Sequence, residues 1–85
     1  MSRQHHGIKI LPEYYRAVEK GLKTFEVRLN DRNYQVYDIL HLREWLHGEY
    51  TGREIVVEVT YILDDPNYCK EGFIIMAIKV INVNN

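Results

Sequence analysis

A mainly β (α+β) domain, five strands closed into a small barrel with one short helix across an end, is predicted by three features of this sequence. Arg53 to Leu63 alternates Ile55, Val57, Val59, Tyr61 and Leu63 with Glu54, Val56, Glu58, Thr60 and Ile62, which is the period of a strand. Phe73 to Val83 is almost wholly apolar, as in a central strand covered on both faces. Tyr14, Ala17, Val18 and Gly21 fall at i, i+3, i+4 and i+7, a helical packing stripe. Closing so short a set of strands into a barrel removes exposed sheet edges.

The elements follow in order. Ile8 to Leu11 reads as a short strand. Pro12 suits the first position of a helix, Glu13 beside it suits the positive end of the dipole, and Lys20 lies near the negative end. Gly21 is suited to end that helix, because the residue after the cap often needs positive φ. Lys23 to Leu29 reads as a strand, and Asn30-Asp31-Arg32-Asn33 as a loop. Tyr37 to Leu46 is a further strand, with Leu40, Leu42 and Leu46 on one face beside Asp38 and Glu44. His47 to Gly52 reads as a hairpin connection longer than the tight two-residue type, and Asp64-Asp65-Pro66-Asn67 breaks the strand that follows.

The stretch that carries chemistry is Gly21-Leu22-Lys23-Thr24-Phe25-Glu26-Val27-Arg28, a G-x-K-x-x-E-x-R pattern where helix gives way to strand. On a strand Thr24, Glu26 and Arg28 share one face, and Phe25, Val27 and Leu29 the other. A carboxylate and a guanidinium side by side, with a lysine at the strand's start, suit a small polar ligand or a phosphate. The same pair on a solvated face would be an ordinary ion pair worth under ~1 kcal/mol.

Composition narrows the classes. The 85 residues make one domain, 1–85, with residues 1–5 expected to be flexible. Cys69 is the sole cysteine, so no intrachain disulfide forms, which favours a reducing compartment. The start, Met-Ser-Arg-Gln-His-His, has no apolar run, and no stretch approaches the ~18–20 residues of a membrane span; no membrane partner and a cytoplasmic location are expected. Met1 to Val36 carries seven Lys/Arg against four Asp/Glu, and Tyr37 to Asn85 four against eight. Net charge of −1 argues against duplex tracking, so nucleic-acid contact would be local, to one nucleotide or a single-stranded segment. The histidines lack a ligand spacing: His5 and His6 are adjacent, and His41 and His47 are isolated. No zinc or other cofactor is expected.

Beyond the signature, His6 to Tyr15, Asn30-Asp31-Arg32, Val36-x-Asp38-Ile39-Leu40, Glu44-Trp45, Tyr50 to Arg53, Val59 to Ile62 and Glu71-Gly72-Phe73 carry a wider resemblance. The chain resembles ASCH domains of the PUA-like superfamily, in a small bacterial and phage branch. The resemblance implies a five- to six-stranded PUA-like pseudobarrel and a ligand cleft lined by the signature, with RNA or nucleotide binding as the proposed role. Tyr37 stands where that family usually has glycine, which bears on the backbone of that turn.

Candidate nucleic-acid-binding residues are Lys23, Glu26, Arg28, Arg32, Tyr34 and Lys9. Arg28 offers a planar fork to phosphate or a base edge and Lys23 a point charge. Glu26 suits an exocyclic amine, and Tyr34 and Arg32 suit stacking on a splayed base, with barrel-end packing the alternative for Tyr34. Trp45 with Arg43 suits a second aromatic–cation platform, or else covers the barrel's outer face. One ASCH-like branch hydrolyses an acetylated cytidine; carried over, that activity implies Lys23 with Thr24 and Glu26, although Glu26 occupies the nucleophilic threonine's place, and Glu71 would have to stand in for a later glutamate. A third class is a protein-interaction module, docking a basic partner on the acidic arm from Glu49 to Glu54.

Overall fold

The computed structural model describes residues 3–85; the expected flexibility of Met1 and Ser2 lies outside the described residues. The chain forms β1 (His5–Ile10), α1 (Pro12–Glu19), β2 (Phe25–Leu29), β3 (Ile39–Leu46), β4 (Glu49–Leu63) and β5 (Phe73–Asn84). The strands make one sheet in the order β1-β3-β4-β5-β2, with β1 parallel to β3 and every other pairing antiparallel. Register shifts in β4 between Val56 and Val57 and between Val59 and Tyr61 are the bulges that strengthen local twist, and the sheet curls into a half-barrel. β1 and β2 are its two edges and do not pair with each other.

Inward side chains fill the curl: Ile8 and Ile10 of β1, Leu40 and Leu42 of β3, Ile55, Val57 and Val59 of β4, and Ile74, Met76 and Ile78 of β5. Tyr15 and Val18 of α1 cover them, so the helix presents a stripe rotated from the predicted one; Tyr14 stays half exposed. The reason is tertiary: with Pro12 starting the helix at the end of β1, the Tyr15–Val18 side is the one turned to the core.

Other expectations are corrected. His5 begins β1 and Arg3 pairs with Glu58 at 2.9 Å, so residues 3–5 are held by the sheet. The β3–β4 connection is the tight two-residue hairpin after all, His47 and Gly48 both taking positive φ (51° and 83°). β5 is covered on both faces only in its first half, since Val80, Ile81 and Val83 are exposed.

Tyr37 has φ of 78°, the left-handed backbone for which glycine is suited. Its N–H donates to Val59 O at 2.7 Å, and Val59 N–H donates to Asp38 O at 2.9 Å, so sheet bonds on both sides hold the turn in that shape.

Candidate functional site

The site begins with the way α1 ends. Gly21 takes φ of 76°, its N–H donates to Val18 O at 3.0 Å, and Leu22 N–H donates to Ala17 O at 2.9 Å. This is a Schellman motif, and it sends the chain directly from the helix into β2. There β2 pairs with β5 so that Glu26 lies opposite Met76 and Arg28 opposite Ile74. Residues directly opposite share a face, so the two polar side chains look inward with the core residues of β5. Phe25, Val27 and Leu29 look outward and are about half exposed.

Glu26 is only 3% exposed. One carboxylate oxygen accepts from Lys23 Nζ, the other from Arg28 Nε at 3.1 Å. A buried carboxylate is tolerated because both oxygens meet cations. Lys23 Nζ also donates to Phe25 O at 2.7 Å. Arg28 reaches onward from β2 to the opposite edge, donating through Nη2 to Lys9 O, and Arg32 Nη1 donates to Gly7 O at 2.7 Å. Two guanidiniums thus bridge the seam that backbone pairing leaves open.

A cleft of about 670 Å³ lies between α1, β2 and the end of β1. Leu11, Tyr14, Ala17, Leu22, Phe25 and Val27 give it apolar walls, and Lys9, Lys23, Glu26 and Arg28 supply its polar groups. A second hollow of about 330 Å³ lies further along the seam, with Lys9 and Arg28 lining both and Arg32, Asp31, Tyr34 and Tyr50 completing it.

The expected site residues therefore divide. Lys9, Lys23, Glu26 and Arg28 come together in the cleft, and Arg32 stands at the second hollow. Tyr34 is a core residue, 4% exposed, edge-on to His6 with ring centres 4.8 Å apart, so it is packed and not open for stacking. Burial pushes its phenol pKa up, as it does for Tyr15. Thr24 is exposed and forms no part of the cleft wall. Trp45 takes the Lys9 ammonium 3.9 Å over its ring, while Arg43 lies across Gly7, where an added Cβ would stand 3.1 Å from the guanidinium carbon.

Two buried carboxylates elsewhere have structural partners. Asp38 accepts from Gln35 N at 3.0 Å and meets His6 Nε2 at 2.9 Å, fixing the turn before β3. Glu44 accepts from Thr51 Oγ1 at 2.8 Å and faces Arg53. Leu11 and Leu22 are walls that the sequence reading did not single out; their signal was apolar residues at both ends of an otherwise polar-faced helix. Among the described residues no group of three or more His, Cys, Asp or Glu is placed to hold a metal ion, and no helix is long and apolar enough to cross a membrane.

Comparison with known proteins adds a family. Residues 5–78 match the domain of unknown function DUF3850. The chain belongs to the DUF3850 family. It is also 32% identical over 78 residues to an uncharacterized 12.9 kDa protein in the GpA 3′ region of Escherichia phage P2, a match covering 92% of this chain and 72% of the phage protein. In this DUF3850 member the matched span contains β1, α1 and β2 whole, and so both lips of the cleft.

Proposed function

We propose that this DUF3850 protein is a cytoplasmic nucleic-acid- or nucleotide-binding module of PUA-like, ASCH type, which takes a base into the cleft between α1 and β2. The observation that carries the reading is Glu26: a buried carboxylate at the floor of an apolar-walled cleft, flanked by Lys23 and Arg28. About 670 Å³ lies within the ~300–1,000 Å³ of small-ligand pockets. Each carboxylate oxygen has two lone pairs, so Glu26 retains acceptor capacity for an exocyclic amine after binding both cations. Tyr14 and Phe25 flank the opening, half exposed, where a base would stack.

The hydrolase reading finds less support. Lys23 donates to Glu26 and to Phe25 O, and Thr24, the only hydroxyl of the signature, lies outside the cleft wall. The interaction-module reading has no feature here that selects a partner.

NMR shift mapping with nucleosides and short single-stranded RNAs tests the proposal. The expected result is perturbation of Lys9 to Leu11 and Leu22 to Arg28, weakened by Lys23→Ala and, for the RNAs, by salt. Absence of any shift with every base-containing probe at low salt would overturn it.

A further inference from the structure

We infer that the ligand is a base carrying a phosphate, held at two places along the seam, with the base in the α1–β2 cleft and the phosphate in the second hollow beside Arg32 and Lys9. This deepens, and rests on, the reading of the cleft as a base site.

The two hollows have a common wall, because Lys9 and Arg28 line both. Their chemistry differs. The larger has apolar walls from Leu11, Tyr14, Ala17, Leu22, Phe25 and Val27, with Glu26 beneath. The smaller is bounded by β1 backbone at Gly7, by the loop after β2, and by Lys9, Arg28 and Arg32. Together they carry four cations (Lys9, Lys23, Arg28, Arg32) against two carboxylates (Glu26, Asp31), an excess of two on a chain whose net charge is −1. Each hollow is lined by three cations and one carboxylate, but Glu26 pairs with Lys23 and Arg28, whereas Lys9 and Arg32, both lining the smaller hollow, form no ion pair among the described residues.

Geometry favours the same division. Arg32 uses Nη1 on Gly7 O, which fixes the guanidinium plane and leaves its other N–H groups for an anion. The Lys9 ammonium rests on Trp45, a contact that positions it while leaving its protons unclaimed. A phosphate between them would replace water on two charges already ordered, which lowers the entropy lost on binding. A free nucleoside would fill only the larger hollow.

Isothermal titration and amide-shift mapping of the intact chain with cytidine, adenosine, their 5′-monophosphates and inorganic phosphate test this. The expected result is at least tenfold tighter binding of one monophosphate than of its nucleoside, with added shifts at Gly7, Lys9 and Arg32. Arg32→Ala should reduce that advantage to within about twofold and leave nucleoside binding unchanged. Because Arg32 also bridges the seam, Lys9→Met serves as a second variant, removing an ammonium with no hydrogen bond among the described residues. A hexaribonucleotide without terminal phosphates separates sources: tighter binding than the monophosphate, still sensitive to Arg32→Ala, assigns the hollow to a phosphodiester of a strand. Equal affinity for nucleoside and monophosphate, with the same shifts, would overturn the inference and leave the base site standing. Shifts with phosphate alone and none with any nucleoside or nucleotide base would remove both.

Discussion

On β4 the side chains facing into the curl are Ile55, Val57 and Val59, all fully buried, and Glu54 and Glu58 face out. On β2 the inward pair is Glu26 and Arg28, and Phe25, Val27 and Leu29 face out at about half exposure. Both strands alternate with the same period, and β2 does so with inverted polarity. β4 is placed by apolar burial, the usual source of sheet stability. β2 is placed by its backbone bonds to β5, by the Schellman turn before it and by the ion cluster beneath it. A strand that buries a carboxylate and leaves three apolar residues half in water departs from what folding alone would select, and such departures concentrate at functional sites.

The contrast can be broken at four points, in descending order of effect. Ile55→Ala removes a fully buried side chain from β4 and should lower unfolding free energy by about 2–5 kcal/mol, read by urea denaturation. Glu26→Gln keeps shape and removes the charge that Lys23 and Arg28 share; a loss of about 1–3 kcal/mol is expected, together with loss of base-induced shifts in the cleft. If stability fell as far and the shifts persisted, the inverted strand would be structural only. Tyr37→Gly should stabilise the protein by about 1 kcal/mol, raising the melting temperature, because a left-handed tyrosine is strained where glycine is not. Val27→Thr, at a position 50% exposed, should change stability by no more than about 0.5 kcal/mol; a drop as large as that of Ile55→Ala would mean that the outer face of β2 is covered in solution.

Much of the local structure was legible in the chain. Pro12 and Gly21 bracket the helix, with its regular part ending at Glu19, and the alternation of Ile55 to Leu63 identifies β4. The signature residues Lys23, Glu26 and Arg28 do converge: Glu26 and Arg28 share a strand face by their spacing, and Lys23, in the turn before β2, reaches Glu26 from outside the strand. Two positions were decided for a common reason. Tyr34 reads either as a loop aromatic free to stack or as barrel-end packing, and it is packed against His6; His47 to Gly52 reads as a long connection, yet it is mostly strand. Each depends on what lies across the sheet, which no local pattern encodes.

What the sequence by itself determined is period, punctuation and the residues of the signature: where strands run, where the helix stops, and which side chains share a face. Alternation sets a repeat of two and leaves its phase open, so it does not say which face of β2 turns inward. Tertiary structure decided that, through the register that puts Glu26 opposite Met76 and Arg28 opposite Ile74. It also decided that β1 and β2 meet as unpaired edges joined by Arg28 and Arg32, because the order of strands in a sheet follows from long-range pairing and not from neighbours in the chain.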